Sequence, residues 1–464
     1  MLTMKLAELC RACGGSLIGD GEIEITDITT DSRTAKRGSL FAALVGERTD
    51  GHKYINTAFE KGASAALCEK QPDENGAASY ILVGSTLKAL QDIAAYILKK
   101  TDIPTVEIGG SVGKTSTKEA VASVLEQRYS VLKTDGNFNN DLGVPLTVFG
   151  IKEENNAAVI ETGIDDFGQM ELLSSIVRPY ICILTNIGDC HLENLGDRSG
   201  VLRAKSEMFD NMRENGHIIL NGDDAYLAPL KDVHGVKPVF FGLDKKNDIY
   251  ADKIESMGLN GSTCKIHTAS GSFFVKVPKP GVHMIYNALA ATAAGIIMGL
   301  SLDEVKRGIE GQENVGGRFN IIDRDGIRII DDCYNANPMS MKASLEALSS
   351  SKGRKVAILG DMGELGENEK KLHEDVGGYA AEDGINEVYC IGSLSRYMAD
   401  AARVNPDCHV LHFETVQDFI GEMPRLIRKG DTVLVKASHF MKFDDIVKAL
   451  TEDGPDRKDE KAHD

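Results

Sequence analysis

The sequence has no apolar run approaching the roughly 18 residues that a membrane-crossing helix requires. Its first residues, MLTMKLAELCRACGG, lack the basic region, long apolar stretch and cleavage site of a secretion signal. Cytoplasmic location without membrane insertion is the expectation. An excess of basic charge is also missing. The formal charge is −18, which argues against nucleic acid or an anionic membrane as the main partner. An anionic substrate would have to be held by local basic groups or metal ions. Paired cysteines are scarce too: of nine, only Cys10 and Cys13 form a C-x-x-C, with no second pair nearby. Reduced thiols are the simpler reading than zinc or redox chemistry. No internal repeat is visible.

What is present is enough chain for several cores. A length of 464 residues suggests two to four domains at roughly 100–200 residues each. Residues 1–102 mix short strands and Gly-marked turns with a helical pattern at Leu87–Leu98, and the polar KKTDIP (Lys99–Pro104) reads as a linker. From Thr105, strand-like runs at Ala157–Ile160, Ile181–Leu184, His217–Leu220 and Val239–Phe241 alternate with helical stretches. That order implies a mostly parallel sheet covered by helices. Residues 248–280 suggest a small antiparallel insertion, and an Ala-rich helix is expected over about His283–Met298. Further runs at Ile327–Ile330, Lys355–Leu359, Glu387–Ile391 and Thr432–Val435 imply another α/β unit. The expected fold is therefore α/β in three domains. A small mixed α/β N-terminal domain spans 1–102, a central parallel-sheet domain 103–314, whose P-loop motif at Gly110–Thr115 marks it as an ATPase domain, and a C-terminal Rossmann-like domain 315–452. The polar stretch 453–464 is expected to be a disordered tail.

The sharpest local signal is a strand that enters Gly110-Ser-Val-Gly113-Lys114-Thr115-Ser116 and then a helix. Gly110 and Gly113 let backbone N–H groups, including those of Ser111 and Val112, close around phosphate, and the helix N-terminus adds partial positive charge. Lys114 can reach the β/γ-phosphates and the Thr115 hydroxyl can ligate Mg²⁺. The spacing is shorter than the full phosphate-loop pattern, since Ile108 stands where the first Gly would be. Glu107 is unusual in a strand expected to be buried on both faces. A second apolar strand ends in Glu161, where a metal-holding carboxylate is usually offered. The next ends in Thr185-Asn-Ile-Gly-Asp-Cys-His191, and a loop His can ligate metal or simply sit at the surface. Lys205, by pattern alone, reads as a solvated helical lysine.

In order along the chain stand G-S-V-G-K-T-S, E-T-G, T-N-I-G-D-C-H-L-E, R-A-K-S-E, G-V-H-M-I-Y-N-A-L-A-A, G-G-R-F and D-D-C-Y-N-A-N-P. With this ordered set the chain resembles the Mur ligase family over nearly its whole length. Lys133–Thr147 (KTDGNFNNDLGVPLT), Asp331–Pro338 and Leu359–Gly366 (LGDMGELG) resemble the members that attach D-alanyl-D-alanine to a UDP-N-acetylmuramoyl-tripeptide. Sibling ligases usually carry an Asp-Tyr-Ala-His-type motif where this chain has Tyr-Asn-Ala-Asn.

The resemblance implies an ATP-dependent ligase of peptidoglycan synthesis that forms an amide bond through an acyl-phosphate. It implies ATP held by Gly110–Ser116 and Asn287 on one side and by Arg318, Asp332, Tyr334 and Asn335 on the other. It implies Mg²⁺ ligated by Thr115, Glu161, His191 and Lys205, the last as a carbamate formed with CO₂. Lys114, Lys205 and His191 are the implied catalytic residues. Ser32 and Arg33 are implied at the uridine nucleotide, with Gly46–His52 nearby, and Asn139 and Asn140 at the peptide. A monomer is the default. One departure stands out: where the family often has Lys-Gly-Ser-Arg, this chain has Lys436-Ala-Ser-His439, so neither Lys436 nor Ser438 is counted as a site residue. Another amide ligase of the same architecture, or a nucleotide-binding protein without catalysis, remains open at this point.

Overall fold

The structure is a computed structural model that describes residues 1–46, 49–70, 78–312 and 317–452. The expected tail at 453–464, the junction at 314/315, and Glu47 and Arg48 lie outside the described residues.

Three α/β units follow one another. The first holds a five-stranded sheet in the order Ser16–Ile18, Ser79–Leu82, Ala65–Cys68, Ser39–Ala42, Asp27–Thr29, parallel except for its first member. The second is built on nine strands, with Thr105–Gly109 between Ile181–Leu184 and Ala157–Glu161, third from one edge. The third holds six strands, five of them parallel, with Asn320–Arg324 antiparallel at one edge. No described helix is long and apolar enough to cross a membrane.

Two expectations change. The polar Lys99-Lys100 does not start a linker: the helix Thr86–Thr101 continues through it and stops at Asp102, whose φ is 50°. Lysines suit a helix C-terminus, where the macrodipole is negative, so polarity there did not mark an end. The antiparallel strands at 248–280 are present, but Ile249–Ser256 pairs in parallel with Val239–Gly242. The segment therefore extends the central sheet instead of standing apart from it.

The sheet's two faces are covered differently. Val106 and Ile108 face Val121, Val124 and the Ala-rich helix Val282–Ile297. On the opposite face Ile160, Leu184 and Met170 share a core with Leu90, Ile93 and Ile97 of the helix Thr86–Thr101. The N-terminal unit is thus fastened to the central one by a common apolar core.

Glu107 lies on the strand Thr105–Gly109, which is buried throughout, opposite Ile160 and Cys182 on its neighbours. Its exposure is 0%, and neither carboxyl oxygen has a hydrogen-bond partner among the described residues. Burial pushes its pKa up to about 8, with the nearby Thr162 hydroxyl pulling modestly the other way. The folded chain therefore holds this proton between pH 4.5, the ordinary value, and about 8, while the unfolded chain has released it. Fewer protons on the unfolded state mean that stability falls as pH rises through that window, by about 1.4 kcal/mol per pH unit at most. Glu107→Gln is expected to remove this slope. Denaturant melts at pH 5 and pH 8 should show the variant close to wild type at the lower pH and more stable at the higher. An equal slope in both proteins would mean that Glu107 is not held as the acid.

Candidate active site

The buried strand Thr105–Gly109 delivers its chain into a turn with φ 139° at Gly110 and 82° at Gly113. A Cβ at Gly110 would lie 2.0 Å from the Thr185 hydroxyl, so both backbone angle and contact require glycine there. The loop is caged by the end of the neighbouring strand. Val112 N–H donates to Asn186 Oδ1 at 2.9 Å, and Asn186 Nδ2 donates back to the Val112 carbonyl at 2.9 Å. Thr185 Oγ1 donates to the same carbonyl at 2.7 Å, and Gly188 N–H to Ser111 Oγ at 2.9 Å. The helix Lys114–Leu125 starts immediately, and Lys114 Nζ donates to the Gly110 carbonyl at 3.1 Å.

Glu161 ends the adjacent strand at 1% exposure. Thr115 Oγ1 donates to one of its oxygens at 2.8 Å and Asn139 Nδ2 to the other at 2.8 Å. Among the described residues no lysine or arginine pairs with it. A buried carboxylate with only neutral donors is a poor structural element and a good cation site. Its backbone N–H donates to Thr134 Oγ1 at 3.0 Å, and the Thr134 carbonyl accepts from the buried Lys118 at 2.6 Å. Lys118 and Thr134 were not singled out in the sequence, yet they hold the segment that presents Asn139. Asn140 instead accepts the Gly143 N–H at 2.8 Å, as turn chemistry does at a helix start.

Lys205 overturns the pattern reading. It lies on the helix Arg198–Ser206 at 1% exposure, with no hydrogen bond or ion pair of its ammonium among the described residues. Burial, and after it the charge of Lys114, pull its pKa down to about 8. Amphipathic spacing could not reveal this, because the helix is covered by neighbours distant in sequence.

The C-terminal unit supplies the facing wall. Asp332 accepts from Ser344 Oγ at 2.6 Å, Phe319 N–H at 3.1 Å and Lys436 Nζ at 2.6 Å. The Arg318 guanidinium lies 4.0 Å over the Tyr334 ring, whose other neighbour is the His439 ring at 5.6 Å. Ser438 Oγ accepts the Gly363 N–H at 3.0 Å. So Lys436 holds Asp332 and His439 packs against Tyr334, while Ser438 donates to the Ala336 carbonyl at 3.3 Å. The sequence shows this lysine and serine, but the Ala and His beside them depart from the family motif, so the motif by itself does not mark them.

A cleft of about 810 Å³ lies between the central and C-terminal units, and Lys205 is not among the residues that line it. It brings together Ser111–Ser116, Asn139, Asn140, Glu161, His191, Asn287, Arg318, Asp332, Tyr334 and Asn335. Asn287 sits against the loop with its Oδ1 accepting from Thr117 Oγ1 at 3.0 Å. Asp223 and Tyr286, bonded to each other at 2.9 Å, also line the cleft and carried no sequence signal. Ser32 and Arg33 are elsewhere, on the N-terminal unit. Ser32 is 8% exposed, and Arg33 is open to solvent and paired with Asp31 at 2.7 Å. His52 is a bolt of that unit: its Nε2 accepts the Glu69 N–H at 2.8 Å and its Nδ1 lies 2.6 Å from Asp50.

Family models match each unit in turn: the Mur ligase family catalytic domain over residues 24–97, the Mur ligase middle domain over 108–295, and the Mur ligase glutamate ligase domain over 317–439. A curated relative in Bacillus subtilis, UDP-N-acetylmuramoyl-tripeptide–D-alanyl-D-alanine ligase, is 36% identical over 92% of this chain and 93% of its own. The chain belongs to the Mur ligase family. A crystal structure of MurF from Acinetobacter baumannii superposes with a TM-score of 0.91 at 32% identity, covering 97% of this chain and 99% of that one. MurF from Thermotoga maritima, solved in complex with ADP, gives 0.80 at 27% identity over 91% and 96%. The three-unit architecture is thus that of this family's ligases.

Proposed function

We propose that this chain joins D-alanyl-D-alanine to UDP-N-acetylmuramoyl-tripeptide with ATP, giving the pentapeptide precursor of peptidoglycan, ADP and phosphate. The observation that carries the reading is the cleft itself. A phosphate loop with Lys114 faces Arg318, Asp332 and Tyr334 across it, in a chain similar along its length to ligases of that name.

The chemistry follows from the substrates. A carboxylate does not react with an amine, so an oxygen of the tripeptide's terminal carboxylate attacks the γ-phosphorus and ADP departs. The amine of D-alanyl-D-alanine then attacks the acyl carbon, phosphate leaves, and the amine gives up its proton. Lys114 and the loop N–H groups offset charge on the phosphoryl oxygens. Arg318, Tyr334 and Asn335 hold the nucleotide from the C-terminal side, and Asn287 supports the loop side. Asn139 reaches toward the peptide end, where Asn140 shapes the same turn. Ser32 and Arg33 hold the uridine nucleotide.

The donor set fits Mg²⁺. Glu161 is a buried carboxylate with no pairing lysine or arginine among the described residues, Thr115 offers a hydroxyl to the same point, and His191 lines the same cleft. Lys205 would join them as a carbamate, since its lowered pKa makes the neutral amine that combines with CO₂, releasing one proton. Bound there, Mg²⁺ would neutralise phosphate charge. The proposed boundaries are 1–102, 103–314 and 315–452, and a monomer is the proposed state. The cytoplasm is the proposed location, since ATP and the UDP-linked precursor are found there.

The test is phosphate release with ATP, Mg²⁺, the UDP-linked tripeptide and D-alanyl-D-alanine, omitting each in turn. Release that needs all four, with a product heavier by one dipeptide, is expected. Release without the dipeptide, or none, would overturn the reading.

A further inference from the structure

His191 and Glu364 face each other across the boundary between the central and C-terminal units. His191 Nδ1 lies 2.7 Å from Glu364 Oε2. Both residues occupy left-handed backbone, with φ of 53° and 61°. For non-glycine residues that conformation is uncommon and persists only where the surroundings impose it. The two loops on which they sit are each fixed to their own unit. On the central side, Leu195 N–H donates to the His191 carbonyl at 2.9 Å, and Cys190 Sγ to Ser111 Oγ of the phosphate loop at 3.1 Å. On the C-terminal side, Met362 N–H donates to His373 Nε2 at 3.0 Å and Ser395 N–H to Asp361 at 2.6 Å, while Met362 and Leu365 are buried. Glu364 therefore projects from a rigid loop toward the phosphate site of the other unit.

The pair does little to hold the units together. The Glu364 side chain is 66% exposed, and exposed ion pairs contribute little to docking. Its effect is directional. A carboxylate opposite Nδ1 favours the tautomer that carries its proton there, which leaves the Nε2 lone pair available. The ring itself borders the cleft that holds Lys114 and Glu161. An outer carboxylate that fixes a histidine in this way is what imidazole needs in order to serve as a cation ligand.

We propose that Glu364 is a positioning residue of the ligase. It sets the tautomer and orientation of His191, so the cation-holding side of the cleft is complete only when the C-terminal unit is docked. This rests on the proposed ligase reading, in which His191 is a Mg²⁺ ligand. Docking and metal capacity are then one event. A loop of one unit finishes a site whose other groups, Thr115, Glu161 and Lys205, all belong to the other.

The test uses the full chain with ADP and compares wild type, Glu364→Ala, Glu364→Gln and His191→Ala. The nitrogen resonances of the His191 imidazole are read at one fixed pH, and Mn²⁺ binding is read by electron paramagnetic resonance. Wild type is expected to carry the proton on Nδ1. Glu364→Ala is expected to shift the population toward the Nε2–H form, to weaken Mn²⁺ binding about 10–100-fold, and to lower kcat by a similar factor with little change in KM for ATP. Glu364→Gln, which keeps an oxygen acceptor, should recover part of each loss. An unchanged tautomer and Mn²⁺ affinity in Glu364→Ala, with a clear loss in His191→Ala, would overturn the role of Glu364 and leave the site reading standing. Unchanged Mn²⁺ binding and turnover in His191→Ala would overturn the site reading itself.

Discussion

Replacing Lys114 by alanine is expected to reduce phosphate release by at least ~10³-fold while the protein remains folded. Among the described residues the ammonium has one partner, the Gly110 carbonyl at 3.1 Å, and no salt bridge that the fold needs. Alanine is the best helix former and would occupy the first position of the helix Lys114–Leu125 without strain. What disappears is the one side-chain cation of the phosphate loop. Its charge is felt in the site, because it depresses the pKa of Lys205. On the loop side, charge that develops on a transferring phosphoryl group would then be met by N–H dipoles without an ammonium beside them. Thermal melting should stay within a few degrees of wild type, which separates a catalytic loss from a folding one. Turnover close to normal would remove Lys114 from the mechanism.

Alanine at Lys205 is expected to remove activity almost completely, and formate or acetate supplied in solution to restore part of it. The reason is the disagreement between the residue's burial and its charge. A lysine at 1% exposure without an ion-pair partner among the described residues, with a second lysine close by, is costly as a cation. Conversion to a carbamate, as proposed, would resolve the conflict, since an anion would then stand near Lys114 and its oxygens could serve a hard metal ion. The alanine variant leaves a vacancy of the right polarity for a short carboxylate. Dose-dependent recovery by formate, absent in Lys114→Ala, would tie the rescue to that position. Depleting CO₂ from wild-type protein should lower turnover, and bicarbonate should return it. Full activity in Lys205→Ala would exclude a carbamate role.

Much of the fold was legible because its signals are short in range. The strands at Ile181–Leu184 and Glu387–Ile391 coincide with the apolar runs read for them, and the Ala-rich helix begins within one residue of its expected start. Gly110-Ser-Val-Gly-Lys-Thr declared its turn by the positive φ that its glycines supply. Errors fell where sequence and environment part. Lys99 and Lys100 look like linker, but polarity at a helix C-terminus is compatible with helix. His409–Phe413, an edge strand with partly exposed residues, gave no clean run.

The sequence by itself determined which elements form, where the phosphate loop lies, and which ordered residues mark the family, because periodicity, turn chemistry and local spacing are properties of neighbouring residues. Tertiary structure alone decided what those residues face. It buried Lys205, which its helix pattern assigns to solvent, and enclosed Glu107 with no hydrogen-bond partner for its carboxyl among the described residues. It carried Lys436 to Asp332 across 104 positions and brought Glu364 of one unit to His191 of another. Charge, solvation and hydrogen-bond supply at a side chain depend on everything packed around it, and most of that comes from distant parts of the chain.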